Sequence, residues 1–220
     1  MIFDLDGTLV DSVADIAARC NAALHGEGLP CLSVERIRGF VGGGLGRLAA
    51  LAVAAAGDGP EAASVPALVA RVHARIEQLS LTDAVDQTRP FPGTVVTLQR
   101  LQRRGVAMAV LSNKLHAASL QVVATLFPAV RFLAVHGFDT DAFAKPDPRH
   151  ALVIARALRT RPQQVALVGD GEHDMQCARR AGMQALGATW GYRTPRQLLR
   201  SGAQRLLSHP LEVARLLAPS

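Results

Sequence analysis

Aromatic residues and cysteines are scarce in this chain of 220 residues, and each scarcity excludes a class of protein. Aromatic side chains make up 4% of the sequence, too few for the stacking platforms that bind single-stranded nucleic acids. The three cysteines, Cys20, Cys31 and Cys177, are odd in number and match no metal-binding spacing. We therefore interpret them as reduced thiols of a cytoplasmic protein.

Long apolar runs are also missing. No run approaches the roughly 20 residues that span a bilayer, and no basic segment leads into an apolar stretch at the start. The sequence therefore predicts neither a membrane anchor nor a secretory signal. Hydrophobic residues make up 49% and charged residues 19%, as is typical of a globular protein that buries a substantial core.

Positive charge is in excess, but it is dispersed. The net charge is +6, and the arginines are spread along the whole chain rather than gathered in one segment. Nucleic acid is therefore not an expected partner, and a positive field of this kind favours small anionic substrates.

Two kinds of hydrophobic pattern divide the chain. Residues 12 to about 84 carry helical spacing without a clear strand, whereas strand and helix patterns alternate after residues 90–93. Strands are predicted at residues 2–5, 106–111, 132–135, 165–168 and 183–186, with a weak edge strand at 205–207. The alternation predicts a doubly wound, Rossmann-like parallel sheet built from residues 1–11 and 89–220, with residues 12–88 inserted as an α-helical cap domain.

Acidic residues follow the first and fourth predicted strands, at the sheet edge where ligands bind in such folds. Asp4 and Asp6 are two residues apart, so a strand places both side chains on one face. Close carboxylates repel each other unless a cation lies between them. Asp170 and Asp174, one helical turn apart, add two more. A ligand set made only of oxygen atoms favours Mg²⁺.

Groups suited to phosphate accompany these acids. Lys145 supplies a point charge, and Ser112 and Asn113 can donate hydrogen bonds to phosphate oxygens. Lys114 and His116 are interpreted as the start of a helix near the site, with a direct role as the alternative, and His173 is interpreted as a polar loop residue.

Four segments together resemble the motifs of the haloacid dehalogenase superfamily, in the same order. They are DLDGTLVDS at 4–12, VLSNK at 110–114, KPDP at 145–148 and GDGEHD at 169–174. Within that superfamily, FPG at 91–93 and VGGG at 41–44 most resemble phosphoglycolate phosphatases, whose α-helical cap the insert fits.

The resemblance implies a role for each residue. Asp4 is expected to be the nucleophile that forms an aspartyl-phosphate, and Asp6 the general acid and then the general base. Ser112 and Lys145 are expected to hold the phosphate of a small phosphorylated metabolite. The implied magnesium ligands are Asp4, the backbone carbonyl of Asp6, and Asp170, with Asp174 supporting the metal and Lys145.

Substrate selection is assigned to the insert, because the motif residues contact only phosphate. Its glycine loop, with Gly42 and Gly44, lets backbone N–H groups approach a ligand. Arg38 and Arg47 flank that loop and suit a carboxylate. The alternative, that both arginines are solvated on helix faces, stays open.

Rival functions differ in what they require. A sugar-phosphate mutase of the same fold stays open, as do the identity of the phosphate ester and the oligomeric state. A hydrolytic dehalogenase needs neither Asp6 nor Asp170. A receiver-like module that binds Mg²⁺ without turnover lacks a large helical insert after its first strand.

Overall fold

The computed structural model describes residues 1–57, 65–82, 85–138 and 143–216. The chain divides into two compact units, one formed by Met1–Asp11 with Arg89–Ser220 and the other by Ser12–Thr88. None of the described helices combines the length and the apolar character that crossing a membrane requires. That the second unit acts as a cap stays a prediction.

The first unit contains a parallel sheet of six strands within the described residues, in the spatial order β5-β4-β1-β6-β7-β8. The strands in chain order are β1 (Ile2–Phe3), β2 (Val10–Asp11), β3 (Arg89–Pro90), β4 (Ala109–Leu115), β5 (Ala134–Phe138), β6 (Ala166–Gly169), β7 (Gln184–Ala188) and β8 (Arg205–Leu207). Strands β2 and β3 form a separate antiparallel pair. The predicted doubly wound parallel fold is confirmed.

Helices connect these strands and build the second unit. In chain order they are α1 (Val13–Gly26), α2 (Val34–Arg38), α3 (Leu45–Ala56), α4 (Pro66–Thr82), α5 (Thr94–Arg103), α6 (His116–Leu126), α7 (Arg149–Ala157), α8 (Glu172–Arg180), α9 (Pro195–Arg200) and α10 (Pro210–Arg215). The first four helices lie in the second unit, where every described regular element is helical.

Strand β1 is only two residues long, yet it lies at the centre of the sheet. Ile2 and Phe3 are almost fully buried and pair with β4 on one side and β6 on the other. The backbone N–H of Asp4 continues this pairing by donating to the carbonyl of Val168 at 2.9 Å. The two neighbouring strands therefore fix where the chain emerges at Asp4.

The second unit has its own hydrophobic core. Helices α1, α3 and α4 bury apolar side chains such as Leu24, Val53 and Ile76, and small alanines between them permit close approach. Burial of this kind contributes about 25 cal/mol per Å² of apolar surface, so the unit has a stabilising core independent of the sheet.

The structure differs from the sequence-based expectation at several places. Strand β4 runs to Leu115 instead of ending at Leu111, with an irregular register between those residues. Helix α9 and the β2–β3 pair were not predicted, because both are too short to show a hydrophobic period. Helix α9 instead begins with a capping box, in which Thr194 and Gln197 bond each other's backbone.

Candidate active site

Lys145 lies at the centre of a buried cluster formed by the residue after β1, a carbonyl of β4 and the first turn of α8. Its ammonium donates to Asp4 Oδ1 at 2.7 Å, to Asp174 Oδ1 at 2.6 Å and to the carbonyl of Leu111 at 2.8 Å. These three bonds use all three N–H donors of a lysine. Burial alone would lower the pKa of the Lys145 ammonium, but the carboxylates of Asp174 and Asp4 outweigh it and raise that pKa. Lys145 is therefore a fixed positive charge.

Asp170 follows β6 and is held by two donors. Thr8 Oγ1 donates to Asp170 Oδ1 at 3.1 Å, and the backbone N–H of Tyr192 donates to Oδ2 at 2.8 Å. Asp174, in the first turn of α8, accepts the backbone N–H of Gly171 at 2.9 Å. Asp174 therefore caps its helix with one oxygen and binds Lys145 with the other.

Glycines make room for this acidic cluster. A Cβ atom on Gly7 would lie 2.3 Å from Asp170 Oδ2, and one on Gly169 would lie 2.3 Å from the Asp174 carboxyl carbon. Gly7 also has a φ of +84°, which glycine adopts without strain. At Gly191 a Cβ atom would lie 2.2 Å from the carbonyl of Gly7. The sequence requires glycine here because the backbone passes directly over the acids.

Three carboxylates, those of Asp4, Asp170 and Asp174, have oxygen atoms within 4.8 Å of one another. Burial, and then the charge of Asp174, raise the pKa of Asp4 well above its ordinary value. The same two causes raise the pKa of Asp170 to about 7. Such a site gains most from a cation that lets all three acids ionise, and its oxygen-only donors suit Mg²⁺.

Asp6 is outside this trio and pairs with a different lysine. The ammonium of Lys114 lies 3.2 Å from Asp6 Oδ1 and 3.3 Å from Oδ2. Both side chains are largely buried, with exposed fractions of 12% for Asp6 and 8% for Lys114. The interpretation of Lys114 as merely a helix start is wrong, because the residue still belongs to β4 and contacts a predicted catalytic residue.

Ser112 and Asn113 lie on β4, and both residues are buried. The hydroxyl of Ser112 accepts the backbone N–H of Lys114 at 3.2 Å. The Asn113 amide donates to the carbonyl of Lys145 at 2.9 Å and accepts the backbone N–H of Lys145 at 2.8 Å. Asn113 thus holds the Lys145 loop, a contact that the sequence did not predict. Phosphate binding by Ser112 and Asn113 stays a prediction.

The loop after β7 contributes site residues that the sequence analysis did not identify. Besides Tyr192, Trp190 Nε1 donates to the carbonyl of Thr8 at 2.9 Å, and Arg193 pairs with Glu172 at 3.0 Å. The only signal in the sequence is the position of these residues directly after a strand, which does not distinguish them from other loop residues.

The predicted selectivity residues all belong to the second unit. Gly42 has a φ of +111° and Gly44 a φ of +83°, so both adopt backbone conformations that favour glycine. Arg38 ends α2 and Arg47 lies in the first turn of α3, and both are exposed. The Arg47 side chain lies over Gly43, where a Cβ atom would be 2.3 Å from its Cδ. Their role in substrate binding stays a prediction.

Known proteins are similar to this chain in sequence and in fold. The family of haloacid dehalogenase-like hydrolases matches residues 1–188. A phosphoglycolate phosphatase from Xanthomonas campestris pv. campestris (strain 8004) is 37% identical over 193 residues, covering 88% of this chain and 84% of that protein. One from Mesorhizobium japonicum is 32% identical over 213 residues, covering 95% of this chain and 90% of the relative.

Structural similarity extends over the whole chain. The crystal structure of a predicted phosphoglycolate phosphatase from Haemophilus somnus has a TM-score of 0.88 at 24% identity, covering 99% of this chain and 96% of that one. At this identity the likeness concerns the fold alone. The family match over residues 1–188 shows that the chain belongs to the haloacid dehalogenase-like hydrolases.

Proposed function

We propose that this protein is a Mg²⁺-dependent phosphatase that hydrolyses a small phosphate monoester through an aspartyl-phosphate on Asp4. The observation that carries the proposal is the contact of Asp4 with Lys145 inside the buried trio of carboxylates. A buried lysine bound to two carboxylates provides a fixed charge at the position where a phosphate dianion would approach.

In the first step a carboxylate oxygen of Asp4 attacks phosphorus, and the bond from phosphorus to the ester oxygen breaks. Lys145 reduces the repulsion between the attacking carboxylate and the phosphate dianion. Asp6 gives its proton to the departing oxygen, which therefore leaves as a hydroxyl group rather than as an alkoxide. General acid catalysis of this kind contributes about 10²–10⁴ in rate.

In the second step Asp6, now ionised, takes a proton from a water molecule, and the water oxygen attacks phosphorus. The bond between phosphorus and Asp4 breaks, which releases inorganic phosphate and restores both carboxyl groups. Asp4, Asp170 and the carbonyl of Asp6 would hold Mg²⁺, supported by Asp174, and the charge of the ion stabilises the transferring phosphoryl group when it is bound.

We infer that the substrate is a small phosphorylated carboxylic acid, with phosphoglycolate as the first candidate. Support comes from relatives that carry the name phosphoglycolate phosphatase at 37% and 32% identity. We further infer that the protein works in the cytoplasm, since its cysteines Cys20, Cys31 and Cys177 are free thiols.

A panel of phosphate esters tests the proposal. Wild-type protein with Mg²⁺ should release inorganic phosphate from phosphoglycolate and from a chromogenic ester, and Asp4→Asn should release none. Asp147→Asn serves as the matched control, because that carboxylate pairs with Arg149 at the surface. Phosphate that moves to a second hydroxyl of a sugar instead of to water would favour the mutase. Full activity of Asp4→Asn would contradict the proposed nucleophile.

We also propose that the second unit selects the substrate, through the backbone at Gly42 and Gly44 and the guanidinium of Arg38 or Arg47. An arginine can bind a carboxylate through two parallel hydrogen bonds. Arg38→Ala and Arg47→Ala are each assayed on phosphoglycolate and on a neutral chromogenic ester. A loss confined to the acid substrate in one variant supports the proposal, and equal small effects on both substrates contradict it.

A further inference from the structure

The Lys114 ammonium is the second buried positive charge of the site, and the mechanism proposed above does not use it. Lys145 already lies 2.7 Å from Asp4, where the phosphoryl group is to be transferred. Lys114 instead contacts both oxygens of Asp6, which is proposed to protonate the leaving group. The two lysines are therefore assigned to different parts of the substrate, Lys145 to the phosphate and Lys114 to the leaving-group side.

A lysine in this position retains the capacity to bind a ligand. Its ammonium carries three N–H donors, and within the described part of the chain it hydrogen bonds only to the two oxygens of Asp6. Its side chain is 8% exposed, so water screens its charge less than that of a surface lysine. At least one N–H can therefore be donated to an anion beside Asp6.

We propose that Lys114 binds an anionic group on the leaving group and so makes the enzyme selective for phosphorylated carboxylic acids. This inference rests on the phosphatase function proposed above and names its substrate class. An ester oxygen that accepts a proton from Asp6 lies within hydrogen-bond reach of that carboxylate, and Lys114 lies 3.2 Å from the same group. In a phosphorylated 2-hydroxy acid such as phosphoglycolate, the carboxyl carbon is only two bonds from the ester oxygen, so its carboxylate is within reach of the ammonium.

This assignment changes where selectivity is expected to arise. The motif residues were expected to contact only the phosphate, which left recognition of the leaving group to the second unit. Lys114 belongs to β4 of the first unit, held by the bond from its N–H to Ser112 Oγ at 3.2 Å. The first unit therefore carries a charge that distinguishes an acid from a neutral ester, whichever residues the second unit adds.

The test compares two substrates of nearly the same shape, phosphoglycolate and its carboxamide, of which only the first carries a charge on the leaving group. Lys114→Met and Lys114→Gln are measured against wild type, and Lys114→Arg tests rescue by a retained charge. We expect kcat/KM on the acid to fall about 10- to 100-fold, mainly through KM, in line with the loss of one charge-assisted hydrogen bond. The value for the carboxamide should change less than about threefold, and Lys114→Arg should recover part of the preference for the acid.

The possible contrary results distinguish failure of the Lys114 inference from failure of the proposed phosphatase function. Equal losses on both substrates, carried by kcat, would show that Lys114 only positions Asp6, and would overturn the inference. Wild-type protein that hydrolyses both substrates equally well would also overturn it, while the phosphatase function stands. Wild-type protein inactive on every ester with Mg²⁺ would instead overturn the proposed function itself. Circular dichroism of both neutral variants separates loss of fold from loss of recognition.

Discussion

Among single residues, two lysines of the site contact different carboxyl groups. Lys145 is fixed between Asp4 and Asp174, and Lys114 lies against Asp6. Because each lysine contacts a different proposed catalytic acid, attack on phosphorus and protonation of the leaving group can be tested independently.

Removing the acidity of Asp6 should slow turnover without preventing attack by Asp4. We expect Asp6→Asn to lower kcat by about 10²–10⁴ on an ester of a poorly acidic alcohol. The loss in the first step should be smaller for a nitrophenyl ester, whose leaving group needs little protonation. Phosphate release from the two esters, together with a rapid-quench burst, measures both effects. An unchanged kcat on the alcohol ester would rule out the acid role.

Asn113 is expected to act on the reaction through Lys145, since its amide bonds both backbone groups of that residue. We expect Asn113→Ala to lower kcat/KM by about 10–100-fold, because small displacements of a positioned charge are costly. Asn21 provides a matched control, because its amide bonds the carbonyl and the N–H of Leu32 at 2.9 and 2.8 Å.

Both alanine variants should lose comparable stability in urea unfolding, about 1–3 kcal/mol, and only Asn113→Ala should lose activity. Equal activity in the two variants would show that the Asn113 contact is structural alone.

Sequence reasoning brought together Asp4, Lys145, Asp170 and Asp174, because strand ends of a parallel sheet converge. It did not identify the contact of Lys114 with Asp6. The predicted strand ended at Leu111, whereas β4 continues to Leu115 through an irregular register that no hydrophobic alternation reveals. It also did not identify Tyr192, which reaches Asp170 through a backbone N–H that any residue except proline could supply.

Among the secondary structure elements, helix α1 contributes the carboxylate of Asp15, which binds the backbone at the end of the second unit. Asp15 is buried and accepts the backbone N–H groups of Asp86, Gln87 and Thr88 at 2.8–3.1 Å, together with the Thr88 hydroxyl. Although burial alone would raise its pKa, these donors outweigh it, so the pKa of Asp15 lies below its ordinary value. Asp15 therefore fixes the segment that precedes β3.

Asp15→Asn should lower the free energy of unfolding by about 2–4 kcal/mol at pH 7, because three amides lose a charged acceptor. The folded pKa is lower than the unfolded one, so this stabilisation is complete above about pH 4 and is lost as pH falls through the folded pKa. Urea unfolding at several pH values should show the difference from wild type shrinking below about pH 4.

Glu27→Gln removes a surface ion pair with Arg71 in the same unit and should cost less than about 1 kcal/mol. An Asp15→Asn variant no less stable than Glu27→Gln would contradict the anchoring role.

In the chain as a whole, the buried trio of carboxylates lies in the first unit, and the second unit has a separate helical core. The alternation of strands and helices was sufficient to predict the sheet, because most of these elements are long enough for their hydrophobic periodicity to be recognised in the sequence. The sequence did not predict how strongly the acids perturb one another, because that depends on burial and on distances set by the packed sheet.

Protons and Mg²⁺ should compete for the acidic trio. Since burial and Asp174 raise the pKa of Asp170 to about 7, the metal-free site takes up a proton as pH falls below that value. We expect the apparent affinity for Mg²⁺ to weaken from pH 8 to pH 6, approaching tenfold per pH unit below the pKa. Calorimetric titration with Mg²⁺ measures this, with Asp147→Asn as control. An affinity independent of pH over that interval would contradict the proposed ligand set.

Asp4 is proposed to carry the phosphoryl group during turnover. The most direct measurement quenches the Asp6→Asn variant in acid during hydrolysis of a nitrophenyl ester, reduces the protein with borohydride and maps the product by mass spectrometry. An aspartyl-phosphate is reduced to homoserine, so homoserine is expected at position 4 after turnover and none in a sample without substrate. Steady release of phosphate with unmodified aspartate at position 4, or with the modification at another carboxylate, would contradict it.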